Sequence, residues 1–355
     1  MSGRMLMEGS AALAEAAIQA GCRFYAGYPI TPSTEILEYM STRLPDVGGV
    51  CMNAESEIEA IGMVWGAAGC GVRSMIASTG QGISLMQESF AELANAQIPM
   101  LAVNMARGQG DYFQATRGGG HGDYRFIVLA PASVQEAVDL TQLAFHLADK
   151  HRAPVIVYGD PLIAQTRVGV RIAPRDFGPL PAKDWALDGT GGGTGHSRQV
   201  WTWAMGKATD PGPGPDRHWR AIAAKFDAIA ATEARHEQSS VEGAETVVVA
   251  FGSAAKFAAH VVDELRDEGH RIGWFRPVTL WPFPGDALAD ATRDARRVLV
   301  FELNAGQMID DVRIHATDRS TVRPIGGVSI AESGLAYGEL MDAPVIRHRI
   351  MEALA

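Results

Sequence analysis

Three acidic side chains stand at alternate positions early in the chain, at Glu55, Glu57 and Glu59. A helix over 54–70 would place Glu57 on the face that carries later apolar residues. A carboxylate buried there must be paired or protonated, and a raised pKa would make it a proton donor or acceptor. The alternative is that all three carboxylates are exposed and favour the positive end of the helix dipole. The helix is apolar nearly all round, so on the residues alone the exposed arrangement is favoured.

Arg107 is a candidate for binding an anion. It follows the apolar run PMLAVNMA, and open α/β sheets bind ligands at the carboxyl ends of their strands. An arginine there could bind a carboxylate through two parallel hydrogen bonds. It could equally be a surface residue of the glycine-rich loop that follows. That loop also contains Arg117, His121 and Asp123, and we expect His121 to be a loop residue rather than a catalytic base.

Thr31 stands between two prolines in GYPITPSTEI. A proline disfavours the α conformation of the residue before it, so a helix can begin only after Thr31. We expect Thr31 to be the N-cap of that helix and Pro32 to be its first residue. A second turn, TGQG at 79–82, could present backbone N–H groups to an anion. It is neither a GxGxxG nor a P-loop motif, and alone it indicates only a tight β-to-α turn.

Short apolar runs alternate with helical stretches along most of the chain, which predicts an α/β fold with a parallel sheet covered on both faces. The first 17 residues of this pattern, MLMEGSAALAEAAIQAG, indicate an amphipathic helix. We expect a first domain at 1–165, a connector with a long helix at 166–240 and a second α/β domain at 241–355.

The composition excludes several classes of function. The chain has 355 residues and a net charge of −10, which argues against nucleic acid or an anionic membrane as the main partner. Its three cysteines, at 22, 51 and 70, include no CxxC pair and predict buried thiols in a reducing compartment. No apolar run is long enough to span a membrane. We therefore expect a cytoplasmic protein.

Several motifs occur in a fixed order and carry a family resemblance: GYPITPSTEI, the ESE of 55–57, STGQGISLMQE, MARGQG, GGGHGDYR, RPVTLWPFP and FELNAGQM. Together they resemble the alpha subunit of the 2-oxoacid:ferredoxin oxidoreductases, most closely that of the branched-chain (3-methyl-2-oxobutanoate) and 2-oxoglutarate enzymes. The resemblance covers nearly the whole chain and is weakest between 166 and 240. It implies a thiamine diphosphate pyrimidine-binding domain followed by a transketolase C-terminal-like domain.

The resemblance also implies roles for individual residues. Glu57 would bind the ring nitrogen of the cofactor's aminopyrimidine, and Thr31 and Arg107 would contact the 2-oxoacid. The remaining expected cofactor contacts are Tyr28, Thr79, Gly80 and Gly82.

What the sequence lacks implies partners. There is no GDG motif followed by a distant Asn to hold a Mg²⁺–diphosphate, and there are no cysteines for an iron–sulfur cluster. Under this resemblance the diphosphate, the Mg²⁺, a 4Fe-4S cluster and the coenzyme A site lie mainly on a beta subunit. This chain alone would hold no metal. A gamma or ferredoxin-like subunit would complete some assemblies, and ferredoxin would accept the electrons.

The expected reaction is the coenzyme A-dependent oxidative decarboxylation of a branched-chain 2-oxoacid to acyl-CoA and CO2. A 2-oxoglutarate or pyruvate type of enzyme, a non-oxidative thiamine enzyme and a non-catalytic assembly subunit remain alternatives. RPVTLWPFP and ELNAGQM favour the oxidoreductase over the non-oxidative enzymes. The joint presence of Thr31, Glu57 and Arg107 argues against a purely structural subunit.

Overall fold

The computed structural model describes residues 3–187, 215–326, 330–331, 334–335 and 342–355. The first segment contains, in chain order, β1 (Met5–Glu8), α1 (Gly9–Gln19), β2 (Phe24–Gly27), α2 (Thr34–Arg43), a 3-10 helix (Pro45–Val47), β3 (Val50–Asn53), α3 (Glu57–Gly69), β4 (Ser74–Ser78), α4 (Gly80–Leu85), α5 (Gln87–Asn95), β5 (Leu101–Met105), α6 (Tyr112–Thr116), β6 (Ile127–Leu129), α7 (Val134–His151), β7 (Val155–Gly159), α8 (Pro161–Gln165) and β8 (Arg167–Val170).

The described residues from 215 onward, called the second segment below, contain α9 (Pro215–Glu233), β9 (His236–Ser239), β10 (Thr246–Ala250), α10 (Gly252–Asp267), β11 (Ile272–Pro277), β12 (Thr279–Trp281), α11 (Gly285–Ala291), β13 (Arg297–Phe301), α12 (Met308–His315), β14 (Thr321–Pro324), β15 (Ile330–Ala331), β16 (Gly334–Leu335) and α13 (Ala343–Leu354). The alternation of strands and helices is the α/β pattern that the sequence predicts.

The first sheet has seven strands in the order β12-β6-β7-β5-β4-β2-β3. All of its neighbours except β12 pair in parallel. Strands β4, β5 and β7 are buried at every position, because α1, α2 and α7 cover one face and α3 and α5 cover the other. This is the predicted parallel sheet with both faces covered.

The second sheet has five strands in the order β14-β13-β10-β11-β9, with β9 antiparallel at one edge. Helices α10 and α13 pack on one of its faces. On the other face, Val247 and Val249 belong to the same apolar cluster as Phe90 of the first segment. The rings of Tyr112 and Phe251 also meet across this boundary, with centroids 5.5 Å apart. The two segments therefore share a core.

RIGWFRPVTLWPFP, whose pattern predicts one strand running into a proline-rich turn, divides between two sheets. Pro277 is the last residue of β11 in the second sheet, and proline has no N–H to extend the ladder. The chain then crosses to the first sheet, where the Val278 carbonyl accepts a hydrogen bond from the Ala130 N–H (2.8 Å). Strand β12 lies antiparallel to β6, with Thr279 opposite Leu129.

Two further local predictions are wrong, one for MLME near the N-terminus and one for TGQG at 79–82. MLME is a strand rather than the start of a helix, because Met5–Glu8 pairs antiparallel with β8, whose residues lie far away in sequence. The TGQG segment is not a separate turn. Gly80 already begins α4, with Thr79 as its N-cap, and this helix ends at Leu85 before α5 starts.

The connector is only partly described. GTGGGTG, HSRQVWTWAMGKA and nearly all of DPGPGP lie outside the described residues. The long amphipathic helix is present as α9. Its apolar side is not exposed, since Ile222 and Ile229 are buried and Phe226 packs edge-on against Trp281 with centroids 5.9 Å apart.

The cysteines differ from the expectation of three buried thiols. Cys22 is buried, Cys51 is half-buried and Cys70 is exposed at the end of α3. Among the helices within the described ranges, none is both long and apolar enough to cross a lipid bilayer.

Candidate functional site

Glu57 is the first residue of α3, and it is buried. Its side chain is 4% exposed, whereas Glu55 and Glu59 are exposed. The exposed arrangement favoured from the residues alone is therefore right for the two outer carboxylates and wrong for Glu57. Ser56 caps the helix by accepting a hydrogen bond from the Glu59 N–H (3.4 Å), so Glu57 is the first helical residue after the cap.

The Glu57 carboxylate is positioned by the carboxyl end of β4. Ser78 donates a hydrogen bond from Oγ to Glu57 Oε1 (2.9 Å). Gly82 lies so close that a Cβ atom at this position would overlap Ser78 Oγ and Glu57 Oε1. A glycine is therefore required here for the buried carboxylate to keep its place.

Thr79 and Gly80 lie between β4 and the first turn of α4. Thr79 is fully buried, and although it stands at the N-cap position, its Oγ1 has no hydrogen-bond partner among the described residues. Gly80 approaches a second carboxylate, because a Cβ atom there would lie 2.5 Å from Asp111 Oδ1. The segment thus passes between two acidic side chains, with one glycine facing each.

Arg107 and Thr31 meet, although Thr31 is not an N-cap. Arg107 donates from Nε (3.1 Å) and Nη2 (2.9 Å) to the Thr31 carbonyl oxygen. Ser33 is the N-cap residue of α2, and Thr34 is its first residue. The chain makes a turn before the helix, in which the Ser33 N–H and Oγ both bond to the Ile30 carbonyl, so the helix begins later than predicted.

The other residues singled out in the sequence, Tyr28, Arg117 and His121, are exposed. Tyr28 is 39% exposed and follows β2. His121 pairs with Glu88, from Nδ1 to Oε1 at 3.1 Å, on an exposed part of the glycine-rich loop. Arg117 from the same loop pairs with Asp311 of α12 and stacks over the Phe113 ring at 4.4 Å.

A cavity of about 500 Å³ opens between the two segments at the carboxyl ends of β4 and β5. Arg107, Thr79 and Gly80 line it together with Gln81, Ser84, Gly108, Gly110, Asp111, Gln114, Leu303, Asn304, Ala305 and Gln307. Burial raises the pKa of the Asp111 carboxyl in this wall. The cavity therefore combines a guanidinium, an acid and several neutral polar groups, which suits a small polar anion.

Comparison with known proteins decides the family. Residues 15–185 match the model described as "Pyruvate flavodoxin/ferredoxin oxidoreductase, thiamine diP-bdg", and residues 244–333 match "Pyruvate:ferredoxin oxidoreductase core domain II". The ketoisovalerate oxidoreductase subunit VorB of Methanothermobacter thermautotrophicus is 38% identical over 334 residues, covering 91% of this chain and 93% of that protein. The chain belongs to the 2-oxoacid:ferredoxin oxidoreductase family, as an alpha subunit.

Other members of the 2-oxoacid:ferredoxin oxidoreductase family bear on the substrate. The 2-oxoglutarate synthase subunit KorA of the same organism is 36% identical over 364 residues, covering 92% of this chain and 96% of that protein. A solved 2-oxoglutarate:ferredoxin oxidoreductase from Magnetococcus marinus, with 2-oxoglutarate, coenzyme A and succinyl-CoA bound, superposes with a TM-score of 0.85 at 26% identity. That match covers 99% of this chain and 65% of the solved chain. These identities do not separate the two substrates.

The oxidoreductase motifs MARGQG and FELNAGQM hold the two segments together at the cavity, a role that the sequence analysis missed. Gln109 donates to the Phe251 carbonyl (2.9 Å) and accepts from the Leu303 N–H (2.8 Å). Asn304 donates to the Gln109 carbonyl (2.8 Å), and Gln307 donates to the Gly110 carbonyl (2.8 Å). Amide side chains next to glycines in both motifs are the signal that could have revealed this contact.

Proposed function

We propose that this alpha subunit forms half of an active site that converts a branched-chain 2-oxoacid and coenzyme A to acyl-CoA and CO2, with the electrons passed to ferredoxin. The observation that carries the proposal is the buried carboxylate of Glu57, next to the Ser78 hydroxyl and to space that a glycine at position 82 leaves open.

These residues fit thiamine diphosphate. A buried carboxylate needs a partner, and no ion pair joins Glu57 within the described part of the chain. A ring nitrogen that shares a proton with the carboxyl would serve. Glu57 would hold the aminopyrimidine nitrogen, and the cofactor contacts expected beside it are Tyr28, Thr79, Gly80 and Gly82. Bound thiamine supplies the carbanion chemistry by which a 2-oxoacid loses CO2.

The substrate carboxylate would lie against Arg107 and Thr31. A guanidinium has five N–H donors, and two of those on Arg107 already bond the Thr31 carbonyl. Donors therefore remain for a ligand, while the bonds to Thr31 fix the plane of the guanidinium. The Thr31 side chain is at the surface of the same turn and would supply a hydroxyl donor.

The charge of the cavity supports a monocarboxylate substrate. Among the described residues that line it, Arg107 is the one lysine or arginine. One cation suits the single carboxylate of a branched-chain 2-oxoacid. A second candidate is 2-oxoglutarate, which the identity to KorA supports, but its second carboxylate needs a further cation.

We assign the other cofactors to partner subunits. The chain has three cysteines and no GDG motif with a distant Asn, so we place the Mg²⁺, the diphosphate site and the 4Fe-4S cluster on a beta subunit. The relatives VorB and KorA are themselves named as subunits, which supports a heteromeric enzyme.

The test is to co-purify the chain with its partner and to measure coenzyme A-dependent reduction of ferredoxin or viologen. The substrates are 3-methyl-2-oxobutanoate, 2-oxoglutarate and pyruvate. We expect the highest kcat/KM with 3-methyl-2-oxobutanoate. A preference for 2-oxoglutarate would support the second candidate. A complex that binds thiamine diphosphate and reduces no acceptor with any of the three would contradict the oxidoreductase proposal and favour an assembly role.

A further inference from the structure

Asp111 occupies a helix N-cap but does not cap its helix. It precedes α6, where an aspartate usually accepts a hydrogen bond from a backbone N–H of the first turn, yet its side chain makes no such bond. The carboxylate turns instead toward β5, and Asn104 Nδ2 donates to Asp111 Oδ2 (3.1 Å). Helix capping therefore does not explain this residue.

The surroundings of Asp111 are arranged for a carboxyl group at the cavity wall. Gly80 leaves the space that Asp111 fills, since a Cβ atom at position 80 would lie 2.5 Å from Oδ1 and 2.6 Å from Oδ2. Burial raises the pKa of Asp111, partly offset by hydrogen bonds from the side chains of Asn104 and Gln114. A raised pKa brings the Asp111 carboxyl closer to the pKa of a cysteine thiol, which is about 8.5, so transfer of a proton from a thiol to this carboxylate becomes less unfavourable.

Two further side chains that line the cavity, those of Thr79 and Arg107, are placed to contact a ligand. Thr79 lines the cavity and is fully buried, and within the described part of the chain its Oγ1 has no hydrogen-bond partner. Arg107 lines the same cavity and favours a negatively charged ligand atom. A carboxyl, an unpaired hydroxyl and a guanidinium thus converge on one space, in which a proton can leave a ligand and the resulting negative charge is stabilised.

We propose that Asp111 is the base that accepts the thiol proton of coenzyme A in the acyl-transfer step. The S–H bond breaks, its electron pair stays on sulfur, and the proton bonds to an Asp111 carboxylate oxygen. The thiolate sulfur then bonds the acyl carbon, whose bond to its carrier breaks with the electron pair left on the carrier, and Asp111 returns its proton to solvent. Coenzyme A is the reactant whose thiol must lose a proton. Glu57 does not serve as this base, because the proposed function assigns it to the aminopyrimidine nitrogen of the cofactor. This inference rests on the proposed function.

The charged and titratable groups facing Asp111 do not obscure its titration. Tyr158 of β7 lies near it, and burial raises the pKa of this phenol well above its ordinary value, so it stays neutral. Among the described residues that line the cavity, Arg107 is the other charged side chain. Asn104 and Gln114 do not ionise. A low-pH limb that appears in the coenzyme A-dependent rate, and is missing from the reduction that 2-oxoacid alone causes, would therefore report Asp111 rather than Glu57.

The decisive variant is Asp111→Asn, which keeps the shape of the side chain. In the co-purified complex we expect the coenzyme A-dependent turnover to fall about 100-fold, as for loss of a general base. The single-turnover reduction that 2-oxoacid alone causes should fall far less than the coenzyme A-dependent turnover. The low-pH limb of the coenzyme A-dependent rate should disappear. Asp310→Asn is the matched control, since Asp310 is exposed and pairs only with Arg313 of its own helix among the described residues.

A binding measurement gives a readout that does not depend on turnover. By calorimetry, the unaltered complex should bind coenzyme A more tightly than desulfo-coenzyme A, and Asp111→Asn should abolish this difference. A variant within threefold of the normal coenzyme A-dependent rate would overturn the inference, as would an equal loss of both half-reactions. If the unaltered complex reduces no acceptor, the proposed function fails, and the binding comparison alone then decides the role of Asp111.

Discussion

Arg107 binds the main-chain oxygen of Thr31 through two nitrogen atoms, at 3.1 Å and 2.9 Å. This contact joins the end of β5 to the turn before α2, which are separated by 76 residues in sequence. Because both bonds use a backbone oxygen, the Thr31 hydroxyl is not consumed by them. The arginine therefore holds the turn and keeps donors for a ligand at the same time.

Replacing Arg107 with lysine tests this dual role. Lysine keeps the charge but cannot bond the Thr31 carbonyl and a carboxylate in one plane. We expect the KM for the 2-oxoacid to rise about 10- to 100-fold, which corresponds to the loss of one charge-assisted hydrogen bond. The KM for coenzyme A should change less, because lysine keeps the positive charge in the cavity wall. Arg293→Lys, at an exposed arginine that pairs with Asp290, is the control. An unchanged KM for the 2-oxoacid would remove Arg107 from the substrate site.

The role of Glu57 predicts a defect in cofactor activation rather than in assembly. In Glu57→Gln the amide cannot share a proton with the aminopyrimidine ring. We expect the complex to assemble and to bind thiamine diphosphate, while exchange of the cofactor C2 proton slows at least about 100-fold. Hydrogen–deuterium exchange followed by NMR after rapid quenching measures this rate.

Glu59→Gln is the matched control, because Glu59 lies in the same helical turn and is exposed. Its exchange rate should equal that of the unaltered complex. A normal exchange rate in Glu57→Gln would show that the buried carboxylate has another function.

The sequence predicts elements better than it predicts which side of an element faces inward. The strand before Arg107 is recognisable because LAVNM is apolar, and the position of Arg107 just after the carboxyl end of this strand follows from the same pattern. The burial of Glu57 could not be derived in the same way, since α3 is apolar on almost every side. Only the packing of α3 on β4, next to Ser78, selects the inner face.

Long-range pairing explains the other errors. MLME has the composition of a helix start, and it becomes a strand because residues of β8 stand beside it. RPVTLWPFP divides between two sheets because β6 offers a free edge to Thr279, a partner that no local pattern reveals. The sequence does not reveal Asp111, because its contacts form only in the fold. Gly80 is far from it in sequence, and Asn104 belongs to β5.

Glu233 at the end of α9 predicts a dependence of stability on pH. Its carboxylate accepts from Lys150 Nζ (2.6 Å), His151 Nε2 (2.8 Å) and Arg235 Nη1 (2.8 Å). Burial alone would raise its pKa, but these three donors outweigh burial and lower the pKa from 4.5 to about 2. A carboxylate with a lowered pKa stabilises the fold above its unfolded pKa, and this stabilisation is lost as the pH falls.

We therefore expect Glu233→Gln to lower the free energy of unfolding by about 1–3 kcal/mol at pH 7, because three donors lose a charged acceptor. The difference from the unaltered chain should shrink as the pH falls from about 4.5 toward 2. Urea unfolding between pH 7 and pH 3.5 measures it. A difference that grows below about pH 4.5 would contradict the assignment. Glu264→Gln is a control at an exposed carboxylate.

Gly82 offers a test of the site that does not change any charged group. A Cβ atom at position 82 would overlap both Ser78 Oγ and Glu57 Oε1, so Gly82→Ala must displace the buried carboxylate. We expect a loss of about 1–3 kcal/mol in the free energy of unfolding, as for overpacking of a core. We also expect slower exchange of the cofactor C2 proton in the complex.

Gly62→Ala is the matched control, because Gly62 lies within α3 and a Cβ atom there would meet nothing within 4 Å. An alanine inside a helix should raise the free energy of unfolding of the isolated chain by about 0.5–1 kcal/mol relative to glycine. Opposite signs for the two alanines, measured by thermal and urea unfolding, would show that Gly82 is required by the carboxylate beside it. Equal effects would mean that helix propensity alone governs both positions, and Glu57 would then lack the close packing on which the proposed cofactor site depends.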